Sequence, residues 1–367
     1  MKIQTTGSLV VFLAVFMWGH YFALSQTLSL EDFRVVYGEE NSGKHIVFIA
    51  GEREYRSEES LPALARILAK HHGFRCTVLF TLAEDGTIEP QGPNLRGLKV
   101  LDEADLLFMF MRAQNLPDDE MIHFDRYVNS GKPIIALRTS THPFKIPDGQ
   151  WREYDSAYED KQYEGGFGRQ VLGETWVAHH GDNHIHSTCL IPLPDKTGHP
   201  VLMGVGEMHV QTGGYLTSPR AGSWPLVMAQ PLVGMSAADA AHPALYAVPG
   251  VWTRLRDVGA KGRVLTCTHG ASVDILDEGL RRLLVNACFW ALRLDGRITP
   301  DLNIDFVGPY RPTEFASHAW KRGVRPADLA GYKSLIMPGE SGPVPAIYSE
   351  RMKARFKKWE TIKANQP

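Results

Sequence analysis

Short, unbroken apolar runs that end abruptly in charge set the hydrophobic pattern of this chain. Residues 46–50 (IVFIA) reach Gly51 and then a dense charged loop of Glu52, Arg53, Glu54, Tyr55 and Arg56. Residues 106–111 (LLFMFM) stop at Arg112; residues 134–137 (IIAL) stop at Arg138, with Thr139, Ser140, Thr141 and His142 behind it. Apolar runs without alternation read as strands buried on both faces, the mark of a parallel sheet. Amphipathic stretches lie between them. Leu61, Leu64, Ile67 and Leu68 share one face of a helix expected from about Ser60, which leaves Pro62 in the first turn, to a stop at Gly73. A further strand is expected over 74–80. The next helix opens at Pro117 with Asp118, Asp119 and Glu120 complementing its dipole, faces inward through Met121, Phe124 and Val128, and closes at Gly131. The order β, α, β, loop, β, α, β predicts an α/β fold built on a doubly wound parallel sheet.

Beyond residue 173 the pattern changes. Runs at 189–193, 201–205, 208–210, 226–233 and 246–254 are short, partly alternating and punctuated by Gly and Pro, which predicts a partly antiparallel extension of the sheet. Leu280, Leu283, Leu284, Ala287, Cys288 and Ala291 then mark the inner face of a helix running to about Leu294. After Gly296 periodicity fades among eight prolines, so residues 296–367 read as an extended wrapping tail. A terminal basic helix is expected from Ser349, with Met352, Phe356 and Trp359 on one face. It serves either to dock on the domain or to meet a membrane surface or partner.

Composition changes this picture little. A hydrophobic content of 44% with 22% charged residues is that of a soluble globular chain, and a formal charge of -2 gives no reason to expect nucleic acid. The first residues alter it more. Lys2, the ten apolar residues 9–18 and the small Ala23 and Ser25 form the parts of a secretory signal peptide over 1–25. Ten apolar residues are too few to span a bilayer, which needs about twenty; an uncleaved anchor is the alternative. A leader over 26–44, the α/β domain over 45–295, the tail and a periplasmic or secreted location complete that expectation, with no transmembrane span after cleavage. Cys76, Cys189, Cys267 and Cys288 form no C-x-x-C pair; apolar neighbours favour free thiols, although an exported chain can also form disulfides.

Candidate chemistry gathers at the strand ends, because ligands of open α/β sheets bind beyond the carboxyl ends of the strands. The densest stretch elsewhere is residues 176–186 (WVAHHGDNHIH). It holds His179, His180, Asp182, His184 and His186, with His184 and His186 expected on one side of a strand. Three roles stay open for it: proton transfer or sugar hydrogen bonding, metal ligation, and solvated loop. No H-E-x-x-H or comparable spacing occurs. The expected cofactor set is therefore empty, with a divalent metal at 179–186 as the alternative.

Several segments in one order resemble the trehalose-utilisation (ThuA-like) family. They are 48–57 (FIAGEREYRS), 136–142 (ALRTSTH), 167–173 (FGRQVLG), 176–181 (WVAHHG), 199–204 (HPVLMG), 262–264 (GRV) and 279–287 (GLRRLLVNA), spanning residues 45–315. The resemblance implies the class I glutamine amidotransferase-like fold, a flavodoxin-like α/β sandwich. It also implies a small-molecule carbohydrate, such as a keto-sugar or disaccharide, as the partner. One position departs from the amidotransferases: Arg138 stands where their nucleophilic cysteine would. A permanently protonated guanidinium cannot attack a carbonyl, so glutaminase chemistry is not expected. Thr139 or Ser140 with His142 as base is the remaining nucleophile option. His269 ends a strand in the reversed order His269-Gly270 relative to the family's Gly-His pair, and is either a cleft residue or a turn histidine.

Two functions follow as expectations. The first is an enzyme using acid–base chemistry on a carbohydrate, with His142, His179, His180 and Glu54 as the proton-handling groups. Glu52, Arg53, Tyr55, Arg112, Arg138, Thr139 and His269 would be its substrate-binding groups. The second is a non-catalytic sugar-binding or assembly module on the same fold; self-association is left open. Arg138 and His142 are expected to face His179 and His180 across one cleft walled by residues 52–54.

Overall fold

The computed structural model describes residues 28–338 apart from 91, 93 and 257–260, together with 350, 354 and 357. The proposed signal peptide, the first two residues of the leader and most of the expected terminal helix lie outside these residues. Among the described residues, no helix is long and apolar enough to cross a membrane.

One ten-stranded sheet organises the chain. Its strands are β1 (Arg34–Tyr37), β2 (His45–Gly51), β3 (Arg75–Phe80), β4 (Leu106–Met111) and β5 (Ile134–Leu137). After β6 (His179–His180), which lies outside it, come β7 (Thr188–Pro192) and β8 (Met208–Val210). With β9 (Gly214–Tyr215) also apart, β10 (Ser223–Pro231), β11 (Val248–Leu255) and β12 (Arg263–Cys267) complete it. The spatial order is β1-β3-β2-β4-β5-β12-β11-β10-β7-β8. From β3 to β12 every neighbouring pair is parallel; β1 and everything beyond β12 pair antiparallel. The fold is thus α/β with a mixed, largely parallel centre, and the expected antiparallel extension is present.

The apolar runs form strands buried on both faces. In β4 all six residues are buried, with Phe108 on one face and Leu107 and Met109 on the other. Each face carries its own core. Helices α1 (Ser57–His72) and α3 (Glu278–Ala291) cover the Phe48–Phe108 side, and α2 (Asp118–Ser130) covers the side of Val47, Ile49 and Met109. Apolar surface buried on both faces, at about 25 cal/mol per Å², dominates the stabilisation of such strands.

Three local expectations need correction. Helix α1 begins at Ser57 rather than near Ser60, so Pro62 sits inside it. The cause is Arg56, whose left-handed backbone (φ 62°) starts the turn early and whose carbonyl accepts from the amides of Glu59 and Ser60. The run 201–205 is no strand: residues Pro200–Leu202 form a 3₁₀ turn capped by His199. Nor do His184 and His186 share a strand face. His184 is left-handed (φ 63°), in a turn closed by the amides of Ile185 and His186 on the Asp182 carbonyl.

Residues 296–338 run against the α1 and α3 face. Arg66 donates to the carbonyls of Leu329 and Ser334, Glu59 accepts from the Thr313 amide, and Tyr310 donates to the Ser272 carbonyl. Ile304, Phe315 and Leu329 join that core. All four cysteines are free.

Candidate functional site

Parallel strands align their carboxyl ends, so β2, β4 and β5 deliver their next residues to one rim. At the end of β4, Arg112 places Nη1 2.7 Å from Glu54 Oε2 and 3.7 Å from Glu52 Oε1. Both glutamates follow β2. Glu52 is fully buried, and its Oε2 accepts the backbone amides of Glu54 and Tyr55, which fixes the loop.

The two carboxyls are driven apart. Burial raises the pKa of Glu52 against the pull of Arg112. Burial also opposes charge on Glu54, but Arg112, then Arg138 and His179, outweigh it and hold Glu54 below the usual carboxylate range. Arg112 likewise overcomes its own burial through Glu52 and Glu54, and its pKa is raised. A carboxylate held in its charged form, a guanidinium held in its own and a second carboxyl whose ionisation burial opposes therefore stand side by side.

At the end of β5 the chain turns sharply. Arg138 adopts a left-handed conformation (φ 43°), which is strained for a side chain of its size, and opens the short turn Arg138–Thr141. Its guanidinium carbon lies 3.8 Å from the Tyr55 ring centre and 4.8 Å from that of Tyr215. Nη1 donates to the carbonyls of Gly213 (2.9 Å) and Thr268 (3.1 Å), and Nη2 reaches Asn183 Oδ1 at 3.3 Å. Asn183 in turn donates to the Tyr55 hydroxyl at 2.8 Å. Arg138 is fully buried, so it holds the floor of the site rather than facing solvent.

The nucleophile option fares badly. Ser140 donates to the Met109 carbonyl (3.0 Å) and accepts from the Met111 amide (3.1 Å), tying its hydroxyl to β4. Thr139 is fully buried. No cysteine is at the turn: Cys267, the nearest in register, pairs with Leu137 and is buried.

His142 does reach the rim. Its ring centre lies 5.7 Å from Trp176 and 6.2 Å from Tyr215, and His179 packs 5.7 Å from each of the same two rings. Burial, then the charges of Arg112 and Arg138, push His142 down to about 3. It is a neutral imidazole throughout the physiological range. His179 is exposed and Trp176 is 41% exposed, so both border solvent.

The expected pairing of His179 with His180 in one cleft does not hold. Strands β6 and β9 form a two-stranded ribbon, and successive side chains of a strand point to opposite faces. His179 and Tyr215 face the rim; His180 turns to the other side, where Nε2 lies 2.6 Å from the Tyr246 carbonyl. Of the two places left open for His269, it does not take the one in the cleft. It is fully buried beneath Gly214, with Nδ1 3.2 Å from Thr268 Oγ1, and burial takes its pKa well below the ordinary value. Arg53 is half-buried at the rim, where burial and then Arg112 lower its pKa. Among the described residues, no group of three or more His, Cys, Asp or Glu side chains is arranged to hold a metal ion.

Sequence reasoning missed Tyr215, Asn183 and Asp274, and did not give Trp176 a role. Asp274 is the joint beneath the site. Its carboxylate accepts the amides of Gln211, Thr212, Gly270 and Ala271 and the Thr212 hydroxyl, fixing the loop that carries Gly213 and Tyr215. A Gly-Gly-Tyr stretch after β8 gave no periodic signal, whereas an exposed tryptophan within the 176–181 motif was visible.

No protein-family model and no curated protein matches the chain. Among solved structures it is similar to a ThuA-like protein from Parabacteroides merdae, at 15% identity and a TM-score of 0.47, covering 75% of this chain and 96% of that one. It is also similar to a ThuA-like protein from Bacteroides uniformis, at 15% identity and a TM-score of 0.43, covering 71% and 95%. At such identity and TM-score the likeness says nothing about activity.

Proposed function

We propose that this chain is an exported ThuA-like protein of flavodoxin-like, class I glutamine amidotransferase-like topology, whose rim performs acid–base chemistry on a keto-sugar or related small carbohydrate. The observation that carries this reading is the Glu54–Arg112 pair at 2.7 Å beside a neutral His142 and the open His179. Arg112, fixed by two carboxylates, can donate from its remaining N–H groups to a carbonyl oxygen as negative charge develops there. Glu54 and His142 are both unprotonated at neutral pH, so either can accept the proton from the neighbouring carbon. Trp176 offers a ring face to the apolar side of a sugar. Arg138, buried between two tyrosines, positions the turn that bears His142.

Glutaminase activity is not part of this proposal, because the turn after β5 carries an arginine in place of a thiol. The alternative is a non-catalytic sugar-binding or assembly module, for which the exposed Trp176 platform is the supporting observation.

A panel of keto-sugars, disaccharides and their reduced forms, assayed for turnover and by thermal shift, tests both readings. Turnover of a keto-sugar that falls about a hundredfold in Glu54→Gln is the expected result. Binding without turnover, unaffected by that substitution, supports the module instead. Binding of no carbohydrate removes both.

A further inference from the structure

A second cleft opens at the opposite edge of the sheet from the rim just described. β11 runs antiparallel to β12, with Leu255 opposite Arg263, so its end lies beside the beginnings of the parallel strands. There a cavity of about 350 Å³ is lined by Arg220, Arg254 and Arg256 together with Asn129, Gln162, Tyr163 and Gln170. That volume falls at the lower end of small-molecule sites, about 300–1,000 Å³. Among the described residues, no Asp or Glu lines it.

Among the described residues, Arg256 and Arg220 are held by neutral groups. Arg256 is buried, and Nη2 donates to the Val128 carbonyl at the end of α2. Its Nη1 is buried and finds no hydrogen-bond partner among the described residues. Burial lowers its pKa, opposed only in part by the nearby Tyr163, Tyr127 and Tyr154 phenols. Arg220 donates to the Gln170 side-chain oxygen. Arg254 donates to the carbonyls of Arg220 and Ala221 and, at 2.8 Å, to Ser223 Oγ. A guanidinium taken from water without an anion beside it costs several kcal/mol, and helix-end carbonyls recover only part of that. The rim shows the contrast: there Arg112 has two carboxyl groups, whereas here the fork of Arg256 is left incomplete among the described residues.

We propose that this cleft is a binding site for a small hydroxylated anion, a sugar acid or sugar phosphate. The anion would complete the guanidinium forks of Arg256 and Arg220. The amides of Asn129, Gln162 and Gln170 and the Tyr163 phenol would take its hydroxyls. The site is separate from the carbohydrate rim and does not depend on the function given to that rim.

Isothermal titration of the purified full chain with gluconate and with inorganic phosphate, with glucose as the uncharged control, tests it. Both anions are expected to bind, more weakly as salt is raised, and glucose is expected not to bind there. Arg256→Met, which keeps much of the packing, should weaken anion binding about tenfold or more, as befits loss of a charged hydrogen-bond pair. Arg220→Gln, on a half-buried residue, serves should the first variant fold poorly, and should weaken binding in the same direction. Glu54→Gln should leave anion binding unchanged. Absence of anion binding to the unaltered chain overturns the proposal. So does binding that survives both arginine substitutions, or that is lost in Arg112→Ala while Arg256→Met retains it.

Discussion

The two halves of the sheet handle chemistry in different ways. From β3 to β12 the strands run parallel, are buried on both faces and discharge their polar residues at a common edge. From β11 to β8 they alternate in direction, and their burial is mixed, as in β10, where Trp224 is 48% exposed while Leu226 and Val227 are buried. Glu54, Arg112 and His142 come from three separate segments yet meet. His179 and His180 are adjacent in sequence yet part. Where a strand ends and which face a side chain takes, rather than closeness in the chain, decide which polar groups can cooperate.

The halves should differ most in what they contribute to stability. Phe108 stacks on Phe48 at a centre distance of 5.1 Å, both fully buried in the parallel half. Phe108→Ala should cost about 3–5 kcal/mol in chemical denaturation, whereas Trp224→Ala in the antiparallel half should stay within about 0.5 kcal/mol. Equal losses would mean that the halves are not packed as differently as their burial implies.

The next largest effect concerns the rim. Once a carbohydrate substrate is found, Glu54→Gln should lower kcat/KM by about a hundredfold, the lower range for a lost acid–base group. His180→Ala should leave kcat/KM where it was, because that side chain serves the far face of the ribbon. A comparable loss from His180→Ala would place both histidines in one site after all.

A finer test is pH. His142 carries its proton only near pH 3 in the folded chain, against 6.5 for an ordinary imidazole. His45, buried and near Arg75, is likewise lowered to about 4. Their unfolded counterparts take up protons first as pH falls, so stability from both declines from about pH 6.5 downward, toward those folded values. Catalysis should show the reverse tolerance: kcat/KM as a function of pH should have no acid limb near 6.5. Such a limb, abolished by His142→Ala, would show that His142 is solvated and titrates normally.

Much of the parallel half was legible in the sequence. Apolar runs at 46–50, 106–111 and 134–137 state their own burial, and Gly73 and Gly131 state the helix ends. The charged residues that follow each run gave Glu54, Arg112, Arg138 and His142. The missed groups depend on long-range registry. Tyr215 reaches the site because β9 pairs with β6, and Asp274 because it bridges 211–212 to 270–271; no local period encodes either contact. His180 was misassigned because a two-residue strand leaves no visible alternation. The early start of α1 escaped notice because a left-handed arginine, in place of the usual small polar cap, begins it.

The strand order also has a consequence in time. β12 inserts between β5 and β11, so the central strand Ile134–Leu137 waits for residues 263–267, more than a hundred positions later, before its second edge is paired. Until then a growing chain presents a flat apolar edge of the kind that recruits other strands. Contacts this distant also form slowly, because a long loop must close first. A chain shortened before Arg263 would therefore hold a nearly complete parallel core with one open side, and its fate in the cell would rest on chaperones rather than on its own sequence.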